Sequence, residues 1–240
     1  KFNKPVDISL DSNDNVYILD QDDLGFKLYD KDLNWKRTAS RKTEFLKLSG
    51  GQPISIAVDK HTDDVYVLSN NGVVFQYDSQ SRLMDTFYLT DPVASDETYK
   101  QIVFSRKNRD VVYVMTNKSV FKKFKSKIDK SIGAFRLINN NITDQTLSFV
   151  DIMLTDNVEF DYVFVGGEST HSGVWGSVSK VFKFNETINH QTLVYDSYKQ
   201  DIYPLSAVNV TSDEYVTSFV INKSLHKLIY NHLLFRDNIF

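Results

Sequence analysis

The sequence contains no cysteine and little glycine or proline, with 9 glycines and 4 prolines among 240 residues. The absence of cysteine excludes disulfides, thiol catalysis and cysteine-ligated metal sites, and it disfavours a small secreted domain held together by disulfides. No apolar run approaches the ~18 residues of a membrane-spanning helix. No signal peptide is evident. We therefore expect a chain that is stabilised by a buried core.

The charges give little indication of a partner. The formal net charge is −3, which provides no general attraction for nucleic acid or for an anionic membrane. One stretch, residues 118–130, is locally basic. Its alternating cations favour an edge strand protected from pairing with other sheets, and the alternative is an anion-binding patch. We expect protein partners, and neither nucleic acid nor membrane.

Motifs for catalysis and cofactor binding are also missing. The sequence has no G-x-S-x-G, no phosphate-binding loop and no dinucleotide fingerprint. Its five histidines form no close metal-ligand pair. Residues 11–15 begin like a calcium loop, but Val16 replaces the required glycine and Asp22 replaces the final glutamate. An Asx turn is favoured there, and we predict a non-enzyme without catalytic residue, metal or cofactor.

What the sequence does have is an internal repeat. Residues 5–30 and 53–78 share the same order of parts: a proline, alternating apolar residues, an aspartate, a polar turn, a Val-Tyr strand, a second turn and a closing Tyr-Asp. A tyrosine recurs at the same place about every 50 residues. These tyrosines are Tyr17, Tyr66, Tyr113, Tyr162 and Tyr215.

Each repeat has the pattern of short strands separated by Asp, Asn and Gly turns, with runs such as 65–68 and 111–115 apolar enough to be buried on both faces. Four antiparallel strands in 40 to 50 residues are typical of a propeller blade. We predict an all-β protein, a β-propeller of about five to six four-stranded blades. The propeller spans 1–221, with blades near 5–48, 53–90, 99–138, 147–198 and 205–221.

The last segment, 222–240, loses the strand alternation, and a helix is favoured there over two further blade strands. If it is a helix, the ring closes with residues outside this segment or stays open. The chain starts without methionine and ends within an apolar pattern, so we expect it to be a piece of a longer protein.

The repeat P-x-x-I-x-(L/V)-D, followed by V-Y-(I/V)-L and (F/Y)-x-Y-D, resembles the NHL-type six-bladed propeller repeat. The first two units match well, while the glycine of the family's first turn is missing. Some NHL-like propellers are lyases or lactone hydrolases that use channel residues. Residues of this chain that could point into such a channel include Asp7, Asp20, Asp151 and Asn209. None carries a catalytic signature, and Asp20 is more simply explained as a turn residue at a strand end.

An extra segment, 166–179, lengthens the fourth unit between its second and third strands and is predicted to be a Gly/Ser-rich loop. It carries Trp175 and His171, flanked by Gly173 and Gly176, and an aromatic on a long loop is a common partner anchor. Packing of Trp175 on its own blade is the main alternative. The basic residues Lys122, Lys123 and Lys125 are the next partner-contact candidates.

These features favour a structural or protein-interaction propeller. The cysteine-free, Asn/Lys/Tyr/Phe-rich composition and the stretch 218–232 resemble virion structural proteins of T4-like marine tailed phages, which implies a tail or baseplate protein located in the virion. The alternatives are a glycan- or small-ligand-binding propeller and, less favoured, an NHL-like lyase or hydrolase.

Overall fold

In the computed structural model, residues 1–40, 45–47, 51–90, 93–105, 108–128, 135–139, 147–156, 161–170, 177–185, 190–196, 205–210 and 216–221 are described. Their regular structure is almost entirely strand. The exceptions are a helical turn at 45–47 and a 3-10 turn at Lys125–Lys127. The segment 222–240, for which a helix was favoured, lies outside these ranges.

The described strands form four sheets of four strands and one hairpin, each connected in simple sequential order. The first sheet contains β1 (Pro5–Leu10), β2 (Val16–Asp20), β3 (Gly25–Tyr29) and β4 (Trp35–Ser40). The second contains β5 (Pro53–Asp59), β6 (Asp64–Ser69), β7 (Val73–Tyr77) and β8 (Leu83–Tyr88). The third contains β9 (Tyr99–Phe104), β10 (Val111–Thr116), β11 (Ser119–Phe124) and β12 (Phe135–Asn139). The fourth contains β13 (Leu147–Asp156), β14 (Asp161–Thr170), β15 (Ser177–Asn185) and β16 (His190–Asp196), and the hairpin contains β17 (Leu205–Val210) and β18 (Val216–Ile221). The predicted four-stranded units are thus confirmed in four sheets.

A shared irregularity shows that the repeat also extends into the hairpin. The first strand of a sheet shifts register about one residue after it begins, between Pro5 and Asp7 in β1 and between Pro53 and Ser55 in β5. A shift also occurs at the start of β17, between Leu205 and Ala207, and after the third residue of β13, between Phe149 and Asp151. A bulge bends a strand locally and is a reproducible feature of related sheets. The hairpin therefore shares this shift near the start of its first strand, and it has a second shift between Asn209 and Val210.

The chain divides into two compact units. The first contains Lys1–Phe104, Asn108–Val114 and Lys122–Phe135. The second contains Ser105–Lys107, Met115–Phe121 and Arg136–Phe240. In the second unit, β13, β14 and β15 are nine or ten residues long, which is longer than their counterparts in the first two sheets.

The core of the first unit lies between successive sheets. One cluster joins side chains of the first sheet, such as Leu19 and Phe26, to side chains of the second, such as Ile56 and Phe75. A second cluster lies on the other face of the second sheet and includes Tyr66. Because β6 faces both clusters, its central residues are buried on both sides, and those of β10 are likewise buried. The prediction of two-sided burial for these runs is confirmed.

Aspartates organise the turns between strands. The Oδ1 atom of Asp11 accepts hydrogen bonds from the amides of Asn13 and Asn15, at 2.9 Å each. Asp30 and Asp78 do the same for the residues two and four positions later. This is an Asx turn, in which the carboxylate replaces a backbone carbonyl as acceptor. The Asx-turn interpretation of 11–15 is confirmed, and the carboxylate of Asp11 is hydrogen-bonded to backbone amides of its own turn.

The prediction that 166–179 is a loop is wrong at both ends of the segment. Residues 166–170 continue β14 and residues 177–179 belong to β15, and the two strands pair as far as Thr170 with Ser177. The glycines and serines indicated a loop because they have low strand propensity. However, a strand also depends on its neighbours, and β13 pairs with this part of β14 through Gly166 and Gly167.

Candidate functional site: the turn face of the first two sheets

The turns between the second and third strands lie beside the residues that enter each sheet. The amide of Gln21 donates to the carbonyl of Lys4 at 2.8 Å, and the amide of Asn70 donates to the carbonyl of Gln52 at 2.9 Å. We define the turn face as residues 21–24 and 70–72 together with the entering residues 3–4 and 51–52. In both sheets these two kinds of connection therefore lie at the same end.

A buried polar residue ends the second strand of each of the first three sheets. These residues are Asp20, Ser69 and Thr116, and all three side chains are inaccessible to solvent. Ser69 Oγ accepts from the amide of Val73 at 3.0 Å. Thr116 Oγ1 accepts from the amide of Ser119 at 2.8 Å. A buried turn needs an acceptor for its amides, and a short polar side chain at the strand end supplies it.

In the first sheet this position holds a carboxylate. Asp20 Oδ2 accepts from the amide of Asn3 at 2.9 Å, and Oδ1 accepts from the amide of Lys4 at 3.0 Å. Lys27 Nζ donates to Oδ2 at 3.1 Å. Burial raises the pKa of Asp20, but the two amides and the Lys27 ammonium outweigh it and lower the pKa to about 2. Asp20 is therefore ionised at neutral pH and fixes the chain segment that precedes β1.

Lys27 completes this cluster from the adjacent strand. Its ammonium lies 2.7 Å from Asp23 Oδ2, donates to the carbonyl of Lys1 at 2.8 Å, and stands 4.8 Å from the ring centroid of Phe2. Burial lowers the pKa of Lys27, while the hydrogen bonds and charges of Asp23 and Asp20 more than compensate and raise it. Each charged group thus has an opposite charge in contact, as buried charges require. The cluster stabilises the fold, and its carboxylates are already occupied.

Two further contacts hold the turn face rigid. Gln21 Nε2 donates to the carbonyl of Pro53 at 3.0 Å, which joins the first sheet to the start of the second. Gly72 has a φ of +82°, and a Cβ built there would lie 2.5 Å from Cε2 of Tyr99. Glycine is needed at this turn both for its backbone conformation and for the close approach of the ring.

The first strands of successive sheets are joined by side chains. Asp7 Oδ2 accepts from the amide of Ile56 at 2.8 Å, and Ser9 Oγ accepts from the amide of Val58 at 3.1 Å. Ser55 Oγ repeats the contact one sheet later, accepting from the amide of Ile102 at 3.3 Å. Burial raises the pKa of Asp7, although the amide of Ile56, Ser55 and the amide of Ile8 oppose this. We call this arrangement the inner-strand ladder.

The ladder and the Asp20 cluster contain two of the four residues considered as channel candidates. Asp7 and Asp20 are hydrogen-bonded within the fold. Asp151 lies in β13 and Asn209 lies in β17. Within the described ranges, no group of three or more histidine and carboxylate side chains is placed to hold a metal ion.

The partner candidates on the long hairpin cannot be compared with the structure, because His171, Gly173, Trp175 and Gly176 lie outside the described residues. Their contact with a partner stays a prediction.

The prediction of a basic edge strand at Lys122, Lys123 and Lys125 is wrong. β11 lies between β10 and β12 and is not an edge of its sheet. Lys123 is fully buried, and Lys125, just beyond β11, pairs with the buried carboxylate of Asp59 at 2.5 Å. Alternating cations indicated solvent exposure, but lysine stems can be buried when the ammonium has an acceptor. Whether Lys122 and Lys125 contact a partner stays a prediction.

Sequence reasoning missed the cluster around Lys27 and the inner-strand ladder. The sequence did contain a signal for the cluster, because Lys27 occupies the repeat position that Phe75 occupies in the second sheet. Lys27 pairs with Ile18 of β2, and Phe75 pairs with the equivalent residue, Val67, of β6. A cation at a core position requires acidic partners nearby. The ladder had no such signal, because Asp7 and Ser55 are ordinary strand residues until the sheets are placed side by side.

No helix in the described part of the chain is long and apolar enough to cross a membrane. No protein-family model and no curated protein matches the sequence.

Solved structures do match. One is the β-propeller domain of Cps50 (Swd1) from Myceliophteria thermophila, with a TM-score of 0.55 and 9% identity over 92% of this chain. Another is virginiamycin B lyase from Staphylococcus aureus, with a TM-score of 0.57 and 8% identity over 95% of this chain. The chain spans 63% of the former structure and 69% of the latter. At such low identity the likeness shows the fold alone, and the predicted β-propeller fold is confirmed.

Proposed function

We propose that this propeller is a non-enzymatic structural module that binds other protein subunits of a larger assembly. The observation that carries the proposal is that the polar side chains around the turn face are hydrogen-bonded to one another and to the backbone. Asp20, Asp23, Lys27 and Asn3 bind one another and the backbone, so they rigidify the turn face. A rigid frame with variable surface positions suits protein recognition.

The outer strands offer such surface positions. Met84 in β8 exposes 62% of its surface and Tyr88 in the same strand exposes 51%. β8 is the last strand of its sheet, so one of its sides has no neighbouring strand in that sheet. Large exposed side chains on a rigid strand are a common feature of protein interfaces. We assign the fourth strands and the tip of the β14–β15 hairpin as the partner-contact regions.

Trp175 on this hairpin is the proposed anchor, and Trp175→Ala tests it. We expect the isolated domain to keep its urea midpoint while partner capture falls by at least about tenfold, as for an interfacial tryptophan. Met153→Ala, within β13 of the same sheet, is a control for nonspecific weakening of that sheet. A large loss of stability in Trp175→Ala, with partner capture unchanged, contradicts the anchor and supports local packing.

The finer form of the proposal is a virion protein of a tailed phage, in the tail or baseplate, with NHL-like blades. It is supported by the repeat and the composition of the sequence. Gentle purification of the native particle, followed by imaging, tests it. A regular copy number in a large symmetric assembly supports it. A free monomer contradicts it, and a ligand screen on the turn face would then test the small-ligand alternative.

A further inference from the structure

The turn between β6 and β7 contains the one Asn-Gly pair of the chain, Asn71-Gly72. Asparagine followed by glycine is prone to deamidation, because glycine has no Cβ to keep its own amide nitrogen away from the preceding side chain. Asn71 is exposed, so water and hydroxide reach it, whereas Gly72 is buried. The pair thus supplies the reacting groups, and the folded turn determines whether they can meet.

Deamidation begins when the amide nitrogen of Gly72, after losing its proton to hydroxide, attacks Cγ of Asn71. A nitrogen–carbon bond forms, the bond from Cγ to Nδ2 breaks, and Nδ2 takes up a proton and leaves as ammonia. Water then opens the cyclic imide. Attack at Cγ gives aspartate, and attack at the backbone carbonyl of Asn71 gives isoaspartate, in which the main chain runs through Cβ and Cγ. The net reaction consumes water and releases ammonia, with no oxidant or reductant.

Hydrogen bonds hold Gly72 in the turn on both sides. Its amide donates to the carbonyl of Ser69 at 3.1 Å, and its carbonyl accepts from the amide of Leu89 at 2.8 Å. The ring of Tyr99 lies where a Cβ of Gly72 would be. To reach Cγ of Asn71, the amide nitrogen has to leave its acceptor and its peptide plane has to rotate. The folded turn therefore restrains the attacking atom.

The side chain of Asn71 is also held in place. Ser69 Oγ donates to its Oδ1 at 2.5 Å, and a Cβ built on Gly51 would lie 2.9 Å from its Cγ. The entering chain thus fits closely against this side chain. A hydroxyl that donates to a carbonyl oxygen makes the carbon more electrophilic, so this contact by itself favours attack. The restraint on the Gly72 amide opposes it.

We propose that Asn71 is a deamidation site which the folded turn protects and which reacts when the turn opens. Isoaspartate at this position lengthens the main chain by one carbon between β6 and β7, whose last paired residues are Leu68 and Val74. Turn length sets the register of the two strands, so the modified chain cannot recover the same turn. Deamidation therefore follows transient opening of the second sheet and prevents its full recovery.

Peptide mapping of the full chain tests the proposal, with chromatography that separates asparagine, aspartate and isoaspartate at position 71. The chain is incubated at mildly alkaline pH, in buffer and in urea above its unfolding transition. A short peptide covering 66–77 corrects for the effect of urea on the reaction. Asn70 is the internal control, because it is exposed like Asn71 but is followed by asparagine.

We expect Asn71 to react at least about tenfold more slowly in the folded chain than in the unfolded one, since reaction requires local opening. In urea it should react faster than Asn70. Equal rates in the folded and unfolded chains overturn the proposal, as does faster reaction at Asn70 in urea.

Ser69→Ala separates restraint from activation. It removes the donor to Asn71 and also the acceptor of the Val73 amide, so it loosens the turn. We expect a higher deamidation rate in the folded chain and an unchanged rate in urea. A lower rate in the folded chain shows that the hydroxyl activates Asn71 and contradicts the restraint. The wild-type comparison decides alone if this variant lacks a cooperative urea transition.

The consequence of the modification has its own readout. The isoaspartate form, separated and refolded, should unfold at lower urea than the unmodified chain. Asn71→Asp should keep its midpoint, because it retains an oxygen for Ser69 Oγ and the normal main chain. An unchanged midpoint of the isoaspartate form contradicts the proposed loss of the turn. None of these measurements needs a partner, so their failure is distinguishable from failure of the proposed binding function.

Discussion

Asp20→Asn removes the charge that fixes the segment before β1 while keeping the side-chain shape. In the native protein the Asp20 carboxylate accepts from the amides of Asn3 and Lys4 and from Lys27 Nζ. A pKa lowered from 3.8 to about 2 corresponds to roughly 2 kcal/mol of stability at neutral pH. Solvent screening near the exposed chain segment reduces this, so we expect a loss of about 1 to 2 kcal/mol.

The pH dependence has a definite sign. The folded-state pKa of Asp20 is lower than the unfolded value, so its contribution is complete above about pH 4 and is lost as the pH falls towards 2. Urea unfolding of the wild type and of Asp20→Asn, from pH 7 to pH 2, measures it. The difference between the two proteins should be constant near neutrality, shrink below pH 4 and disappear near pH 2.

The matched control is Asp22→Asn, which makes the same charge change two residues away at an exposed position. It should change the free energy of unfolding by less than about 0.5 kcal/mol. If Asp20→Asn lowers the free energy of unfolding no more than Asp22→Asn does, Asp20 is not an ionised group that fixes the segment before β1. The same conclusion follows if the loss persists unchanged at pH 2.

Two further substitutions test the packing of the first unit. Gly72→Ala should lower the free energy of unfolding by about 2 to 4 kcal/mol, because alanine is strained at a φ of +82° and its Cβ would meet the ring of Tyr99; a shift in urea midpoint within error contradicts this. Lys125→Met should cost about 2 kcal/mol at pH 7, since the carboxylate of Asp59 stays buried without its ammonium. The exposed Lys60→Met is its control, and an equal effect of the two would show that the ion pair contributes nothing.

The repeat predicted the strands well because it carries two signals at once. Val65 to Leu68 are apolar without interruption, and aspartate or asparagine follows several strands, as Asp30 follows β3 and Asp78 follows β7, so pattern and turn chemistry agree there. The same agreement identified the Asx turn at Asp11. Local rules suffice there because every contact involved lies within a few residues.

The errors occurred where distant strands determine the structure. Gly166 and Gly167 extend β14 because β13 and β15 pair with them on both sides, and local propensity contains no information about those neighbours. Lys123 was predicted to be exposed because its sequence neighbours are cationic. β11 is instead an internal strand and Lys123 is buried, because burial of a strand side chain depends on what packs on that face of the sheet and not on the charges of its sequence neighbours.

The candidate site was predicted in part. The location of the turn face can be inferred from the repeat, because connections of the same kind recur at the same end of each blade. The Asp20 cluster did not, since its members Asn3, Asp20 and Lys27 come from three separate segments. Only the folded sheet brings their charges together.

The inner-strand ladder sets a rule for exchanging blades. Asp7 and Ser55 differ in charge and length, yet each supplies one oxygen to the first strand of the next sheet. A blade transplanted from another propeller therefore needs no matching sequence at this position, only a short side chain with an acceptor. An alanine or valine there would leave an amide of the following blade without its acceptor, at the junction between the first strands of the two sheets. Recombined or shuffled propellers built on this scaffold can be screened for that single position before any are made.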